Sequence, residues 1–390
     1  MISSIHKRSS TALVRKRSSA FATPPRNLPA PSHRHSHART MSLPALTPPA
    51  FTRRIAFAAT AFTAASSTAL LQAPSARARA AAPLAAQAPP LTRLALNGRR
   101  LVAIGDLHGD FLATVKALEL AGVLASDGSW CGGSTVVVQV GDVLDRGDSE
   151  LAIMRKLRQL SKQAKAAGGD VIVMNGNHEI MNVMGDFRYA TPGAFEECRR
   201  YAEKKRAKAQ AKGEVSSESD AGMDGNDEGM AGVRARQALF KPGGEFARWM
   251  AKNPTVLVVD GTVFAHAGVD ASHVEYGFER INREVMLWME GKTKMPPKQV
   301  LESDGVVWTR DYGGKDAGNQ YEAKFCRRLD AALDAADAKR LVVGHTPQTT
   351  GVNSGCKGSL WRVDVGASRG IYGGAVQVLE IVNGRVRVLA

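Results

Sequence analysis

Five short stretches of this 390-residue sequence bring acids, histidines and glycines together: Gly105-Asp106-Leu107-His108-Gly109, Gly141-Asp142-Val143-Leu144-Asp145-Arg146-Gly147, Gly176-Asn177-His178-Glu179, His266-Ala267-Gly268 and Gly344-His345-Thr346. Nine histidines occur in all, and of the five beyond residue 105 only His273 lies outside these stretches. One histidine beside a strand is an ordinary core or surface residue. Four of them, joined by Asp106, Asp142 and Asn177, make a metal-ligand set. Carboxylate, amide and imidazole donors together suit manganese, iron or zinc better than an all-thiolate or all-oxygen site would. Asp106 and His108 are read as chelating a first ion from one turn, Asp142 as bridging two ions, and Asn177, His266 and His345 as completing the second.

Paired divalent ions answer the difficulty of phosphate esters, where a nucleophile must approach an anion and the leaving oxygen must accept charge. They lower the pKa of a bridging water and neutralise the phosphoryl oxygens. The expected reaction is hydrolysis of a phosphate monoester by in-line attack of a hydroxide that bridges the two ions. Arg146 and Arg310 are the candidates for gripping phosphate, because a guanidinium offers two parallel donors. His178 directly follows a ligand and is expected to point another way. A hydrogen bond to Asp145 would keep it cationic near neutrality and able to protonate the leaving oxygen.

Strands must carry these loops. Leu101–Gly105, Thr135–Gly141, Val171–Asn175, Val256–Val259, Val263–His266 and Leu341–Gly344 are short runs rich in Val, Ile and Leu, and they read as buried strands. Phe111–Ala121, Leu151–Ala167 and Tyr321–Ala336 have apolar residues at helical spacing between them. Three further runs, Trp361–Val365, Ala375–Val382 and Val386–Leu389, close the chain, the last two joined by Asn383-Gly384, a hairpin turn signal. Strands alternating with helices and then a β-rich end predict an α/β fold with mixed sheets. In such sheets, loops beyond the carboxyl ends of strands are where sites assemble.

Net charge is +15 at pH 7, which raises the question of nucleic acid. Residues 1–105 hold fifteen Lys or Arg and no acid; removing those fifteen from 52 leaves 37 basic residues against 37 acidic ones. The body is neutral, so no global surplus exists to follow a phosphate backbone. A basic, acid-free segment rich in Ser, Ala, Arg and Pro reads as an organelle transit peptide, disordered with its linker over residues 1–90. Chloroplast is expected, in the stroma or thylakoid lumen, with the mitochondrion as the alternative. The run Ile55–Leu71 is short of the roughly 20 apolar residues that cross a bilayer, so no stable membrane insertion is expected. Residues 95–390 read as one catalytic domain. Within it, residues 203–236 pass from Lys204, Lys205, Arg206, Lys208 and Lys212 into acids, Ser and Gly, and read as a disordered, solvated insertion. Cys131, Cys198, Cys326 and Cys356 form no C-x-x-C pair and read as reduced thiols.

With GDLHG, GDVLDRG, GNHE, HAG and GHT in this order, the chain resembles the phosphoprotein phosphatases on the calcineurin-like metallophosphoesterase fold. The flanks Met181-Asn-Val-Met-Gly-Asp-Phe-Arg188 and Asp364-Val-Gly-Ala-Ser-Arg-Gly370 are similar to those of the Shewanella-like protein phosphatases, and the leader fits their chloroplast type. The resemblance implies two mixed β-sheets in a sandwich flanked by α-helices. It implies the ligand and acid roles given above, with Arg146 and Arg310 on phosphate. The substrate it implies is a phosphoprotein, with phosphotyrosine and phosphoserine or phosphothreonine both open. The alternatives are a diadenosine tetraphosphatase or other small-molecule phosphoesterase, and a metal-binding scaffold without turnover.

Overall fold

A computed structural model describes residues 88–213, 228–314 and 319–390, so the transit-peptide segment up to residue 87 lies outside the described residues. Two mixed sheets face each other. One has five strands in the order β11(Arg385–Leu389), β10(Val378–Val382), β2(Leu101–Ile104), β3(Val136–Gln139), β4(Asp170–Val173). The other has six, in the order β1(Arg93–Leu94), β5(Val256–Val259), β6(Thr262–Ala265), β7(Arg340–Val343), β9(Leu360–Arg362), β8(Asn353–Gly355). β2, β3 and β4 run parallel, as do β6, β7 and β9.

Alternation along each strand sorts its side chains between two cores. Leu101, Ala103, Val136 and Val138 meet Leu257, Phe264 and Val342 between the sheets. Their neighbours Val102, Ile104 and Val137 face α1(Phe111–Leu120) and α2(Glu150–Ala166) on the outer side. On the far side, Val263, Ala265, Leu341 and Val343 are covered by α6(Glu245–Met250), α8(Phe278–Met289) and α9(Asn319–Ala336). A strand buried on both faces can carry Val and Leu without interruption. Each such side chain stabilises the sandwich by about 1.5–3 kcal/mol. The hairpin at Asn383-Gly384 is present, with positive φ at both residues as its turn requires.

Three expectations change. Arg93 and Leu94 pair with Val258 and Val259, so the folded domain begins before residue 95. Residues 203–236 are helical over much of their length, in α4(Pro192–Ala211) and α5(Glu228–Phe240), and only 214–227 lie outside the described residues. The polar composition of α4 misleads because Ala, Lys, Glu and Arg are strong helix formers. Pairs such as Glu196–Arg200 and Arg199–Glu203, four apart, reinforce it. Finally, Cys326 on α9 and Cys356 are joined in a disulfide, Cα–Cα 5.4 Å, while Cys131 and Cys198 are free. Spacing along the chain carries no sign of this pair, because tertiary packing alone brings them together.

Candidate metal centre

Every candidate ligand lies at or just beyond a strand end on one edge of the sandwich. Asp106 and His108 follow β2, Asp142 follows β3, Asn177 opens α3(Asn177–Val183) after β4, and His266 and His345 follow β6 and β7. His108, Asp142, Asp145, Arg146 and His345 all have positive φ, between 41° and 67°. A left-handed side-chain-bearing residue costs on the order of 1–3 kcal/mol, and such strain gathers where function needs a particular direction. Two glycines make room for it. A Cβ on Gly176 would lie 2.7 Å from the Asp142 nitrogen and closer still to Asp142 Oδ1. A Cβ on Gly344 would strike Asp106 Oδ1.

Three imidazoles are oriented by backbone carbonyls. His108 Nδ1 is 3.0 Å from the Leu144 oxygen, His266 Nδ1 3.0 Å from that of Val140, and His345 Nε2 3.1 Å from that of Trp308. A carbonyl only accepts, so these nitrogens carry a proton, and in the neutral ring the opposite nitrogens turn their lone pairs to the centre. His266 Nε2 lies 3.2 Å from Asp142 Oδ2 and 2.9 Å from Asn177 Oδ1. His345 Nδ1 is also 2.9 Å from Asn177 Oδ1. His108 Nε2 is 3.7 Å from Asp142 Oδ2 and 3.9 Å from Asp106 Oδ2. Asp142 is thus shared by two sets of ligand atoms, one with His108 and His178, the other with His266 and His345, each within 4.8 Å. Asp106 stands a little further out.

Acceptor atoms aimed at one another are stable only with positive charge between them. Burial lowers the pKa of His108 to about 4, and burial with the His266 charge lowers that of His345 to about 3, so both are neutral and ligand-ready. Burial and the charges of Asp364 and Asp142 raise the pKa of Asp106 well above its usual range. Burial, then Asp142, lifts Asp364 to about 6. Asp364 Oδ2 is buried without a hydrogen-bond partner. At Asp142 burial opposes the charge, but the His266 and His178 charges hold its carboxyl well below the usual carboxylate range, and Asp142 in turn raises the pKa of His266. A buried, ionised carboxylate among imidazoles and further acids fits divalent cations.

His178 does not turn away from the cluster, as its place after Asn177 suggested. Its ring stands edge-on to His108, centres 4.8 Å apart, with Nε2 3.8 Å from Asp142 Oδ2. The expected tie to Asp145 is present: Nδ1 is 2.6 Å from Asp145 Oδ2. Burial opposes the imidazolium, but Asp142 and Asp145 outweigh it and the His178 pKa is raised.

The centre opens into a cleft of ≈ 850 Å³ lined by His108, His178, Arg146 and Arg310 among others. Arg146 lies over the Tyr189 ring at 4.6 Å, and its buried Nε has no hydrogen-bond partner. No carboxylate pairs with it among the described residues. Arg310 is exposed and lies beside His345, lowering that residue's pKa.

Sequence reasoning gave no task to Glu179, whose carboxylate accepts from the Gly176, Asp142, Val143 and Leu144 nitrogens at 2.7–3.2 Å and so shapes the turn carrying Asp142. Its place in the Gly-Asn-His-Glu stretch was the available signal. Nor was Asp364 singled out beyond its flanking motif.

A model of the calcineurin-like phosphoesterase family matches residues 99–349. The chain is 42% identical to Shewanella-like protein phosphatase 2 of Arabidopsis thaliana over 296 residues, 72% of this chain and 75% of that one. It is 29% identical to Shewanella-like protein phosphatase 1 of Plasmodium berghei over 282 residues, 70% and 68% of the two chains. The crystal structure of a cold-active protein tyrosine phosphatase of a psychrophilic Shewanella shares the fold, with a TM-score of 0.54 and 19% identity over 77% of this chain and 82% of that one.

Proposed function

This chain belongs to the calcineurin-like phosphoesterase family, in its Shewanella-like protein phosphatase branch, and is a phosphatase; from that premise we propose that it takes phosphate from phosphoproteins with two divalent ions, manganese, iron or zinc, as cofactors. Asp106, His108 and Asp142 would hold one ion and Asp142, Asn177, His266 and His345 the other. Bound there, the ions would lower the pKa of a shared water and neutralise phosphoryl charge. The observation carrying this reading is the sharing of Asp142 between two sets of imidazole donors, one with His108 and His178 and the other with His266 and His345.

The protein's own groups do the rest. Arg146, with a buried Nε free of partners, offers its fork to the phosphoryl oxygens, and Arg310 supplies a second charge at the cleft mouth. His178, protonated against Asp145, faces the cleft with Nε2 and delivers a proton to the leaving oxygen. Asp145 holds that imidazole in orientation and balances its charge.

Manganese-loaded enzyme is expected to hydrolyse phosphotyrosine, phosphoserine or phosphothreonine peptides. Preference for a dinucleotide tetraphosphate over all three would overturn the substrate reading. His178→Asn is expected to harm turnover of alkyl phosphates far more than of aryl phosphates, and equal losses would remove the acid role. For place of action we propose the chloroplast, with the mitochondrion as the alternative, from the acid-free basic leader. Residues 1–105 fused to a fluorescent protein should enter the organelle, and cytosolic fluorescence would refute this. Among the described residues no helix is long and apolar enough to cross a membrane.

A further inference from the structure

Behind the acid pair lies a charged side chain from a part of the chain that none of the five motifs includes. Arg236, on α5, is wholly buried. The rings of Phe187, Phe195 and Phe240 surround its guanidinium with centres 5.5, 5.7 and 5.0 Å away. Its Nη1 donates to Glu150 Oε2, and its Nη2 to Glu150 Oε1 at 3.0 Å. Nη2 also reaches Asp145 Oδ1 at 3.1 Å, and Nε donates to Asn182 Oδ1 at 2.9 Å. Asn182 Nδ2 in turn donates to the same Asp145 Oδ1 at 3.1 Å and to the His178 carbonyl at 2.9 Å. Glu150 accepts the Asp145 backbone N–H.

A guanidinium taken fully out of water is costly to bury and is kept only where its donors are satisfied. Here its donors end on the two acids and the amide that surround the acid pair. The donors to the Asp145 carboxylate from Arg236 and Asn182 both land on Oδ1, which leaves Oδ2 for His178 Nδ1. A carboxylate held by one oxygen cannot rotate its other oxygen away from the imidazole.

We propose that Arg236 is a positioning residue for the proton donor: by pinning Asp145 Oδ1 it holds Oδ2 on His178 Nδ1 and so keeps His178 Nε2 aimed into the cleft. This rests on the assignment of His178 as the acid. It makes α5 a supporting part of the active site, although the sequence of that region reads as solvated filler.

The test compares wild type, His178→Asn, Arg236→Lys and the double variant, all loaded with manganese, on a phosphoserine peptide and on 4-nitrophenyl phosphate. The first leaving group is an alkoxide that needs a proton, and the second a stable phenolate that does not. Arg236→Lys keeps a cation between Glu150 and Asp145, but one ammonium cannot reproduce the planar fork. Its expected mark is a fall of at least about tenfold in the ratio of kcat on the peptide to kcat on the nitrophenyl ester, with KM for the peptide within about twofold of wild type. On top of His178→Asn it should change that ratio no further, because both act through one proton transfer. A purely structural role would lower both kcat values together and leave the ratio alone. Should Arg236→Lys fail to fold, Arg236→Gln, which keeps an amide donor in place of the charged fork and leaves Glu150 on the Asp145 backbone, takes its place and the same ratio is read. An unchanged ratio in the Arg236 variants beside a shifted one in His178→Asn would overturn the proposal alone. An unchanged ratio in His178→Asn would overturn the acid assignment and this proposal with it.

Discussion

Gly176→Ala is a small change with a large expected effect on the metal centre. The backbone at Gly176 is extended, φ −99 and ψ −172, so alanine meets no conformational strain there. The obstacle is contact. The added Cβ would sit 2.7 Å from the Asp142 nitrogen and 2.9 Å from His266 Nδ1, with Asp142 Oδ1 nearer than either. That oxygen must retreat by at least about half an ångström, whereas ligand distances tolerate only about 0.2 Å. Since Asp142 serves both ligand sets, one methyl group disturbs both ions. A loss of about 100-fold or more in manganese affinity is expected, equivalent to about 2.7 kcal/mol or more. Gly176 also caps α3, and the poorer cap should cost the metal-free protein about 1 kcal/mol in unfolding free energy. Isothermal titration with manganese and urea unfolding of the metal-free protein separate the two effects. Wild-type affinity for both ions in Gly176→Ala would refute the packing argument.

Other outcomes follow from the same geometry. Reducing the Cys326–Cys356 bond, or replacing both residues by serine, releases a loop of 30 residues; chain entropy sets the expected loss at about 3.6 kcal/mol, measured by urea unfolding with and without reductant, and a loss under about 1 kcal/mol would contradict it. Arg146→Ala should weaken inhibition by inorganic phosphate about 10- to 100-fold, the worth of charged hydrogen bonds of about 1.5–3 kcal/mol, while an unchanged inhibition constant would remove Arg146 from phosphate binding. The metal-free Asp364 carboxyl, raised to about 6, holds a proton below that pH, which the charge of an ion held by the neighbouring Asp106 would drive off. Manganese affinity should therefore be insensitive to this group above about pH 6 and fall by up to about tenfold per pH unit below it. Titration at pH 5 to 8 checks this, and Asp364→Asn should remove that share of the slope.

Motif and strand pattern made much of the centre legible, for a physical reason. A strand that delivers a ligand must be buried and must end where the ligand begins, so apolar runs ending in Gly-Asp or Gly-His mark both at once. His108, Asp142, Asn177, His266 and His345 could be found that way, as could the tie between His178 and Asp145. Arg236, Glu150 and Asn182 could not. Each is a polar residue on a helix, and what sets them apart is burial against one another across 86 and 54 positions of chain. Nothing local distinguishes Arg236 from its exposed neighbour Arg234. The Cys326–Cys356 pair was hidden likewise, because its partners meet only once α9 packs on the six-stranded sheet. Propensity favours a helix over residues 203–211, whereas their lack of large apolar residues gives the pattern of a solvated loop.

The most direct measurement is the metal content of the purified domain after incubation with manganese, for wild type and Asp142→Asn side by side. Two ions per chain in the wild type, and loss of both in the variant because they share that carboxylate, is the predicted result. A wild type that takes up no manganese, or a variant that keeps one site at full affinity, would contradict a centre built around Asp142.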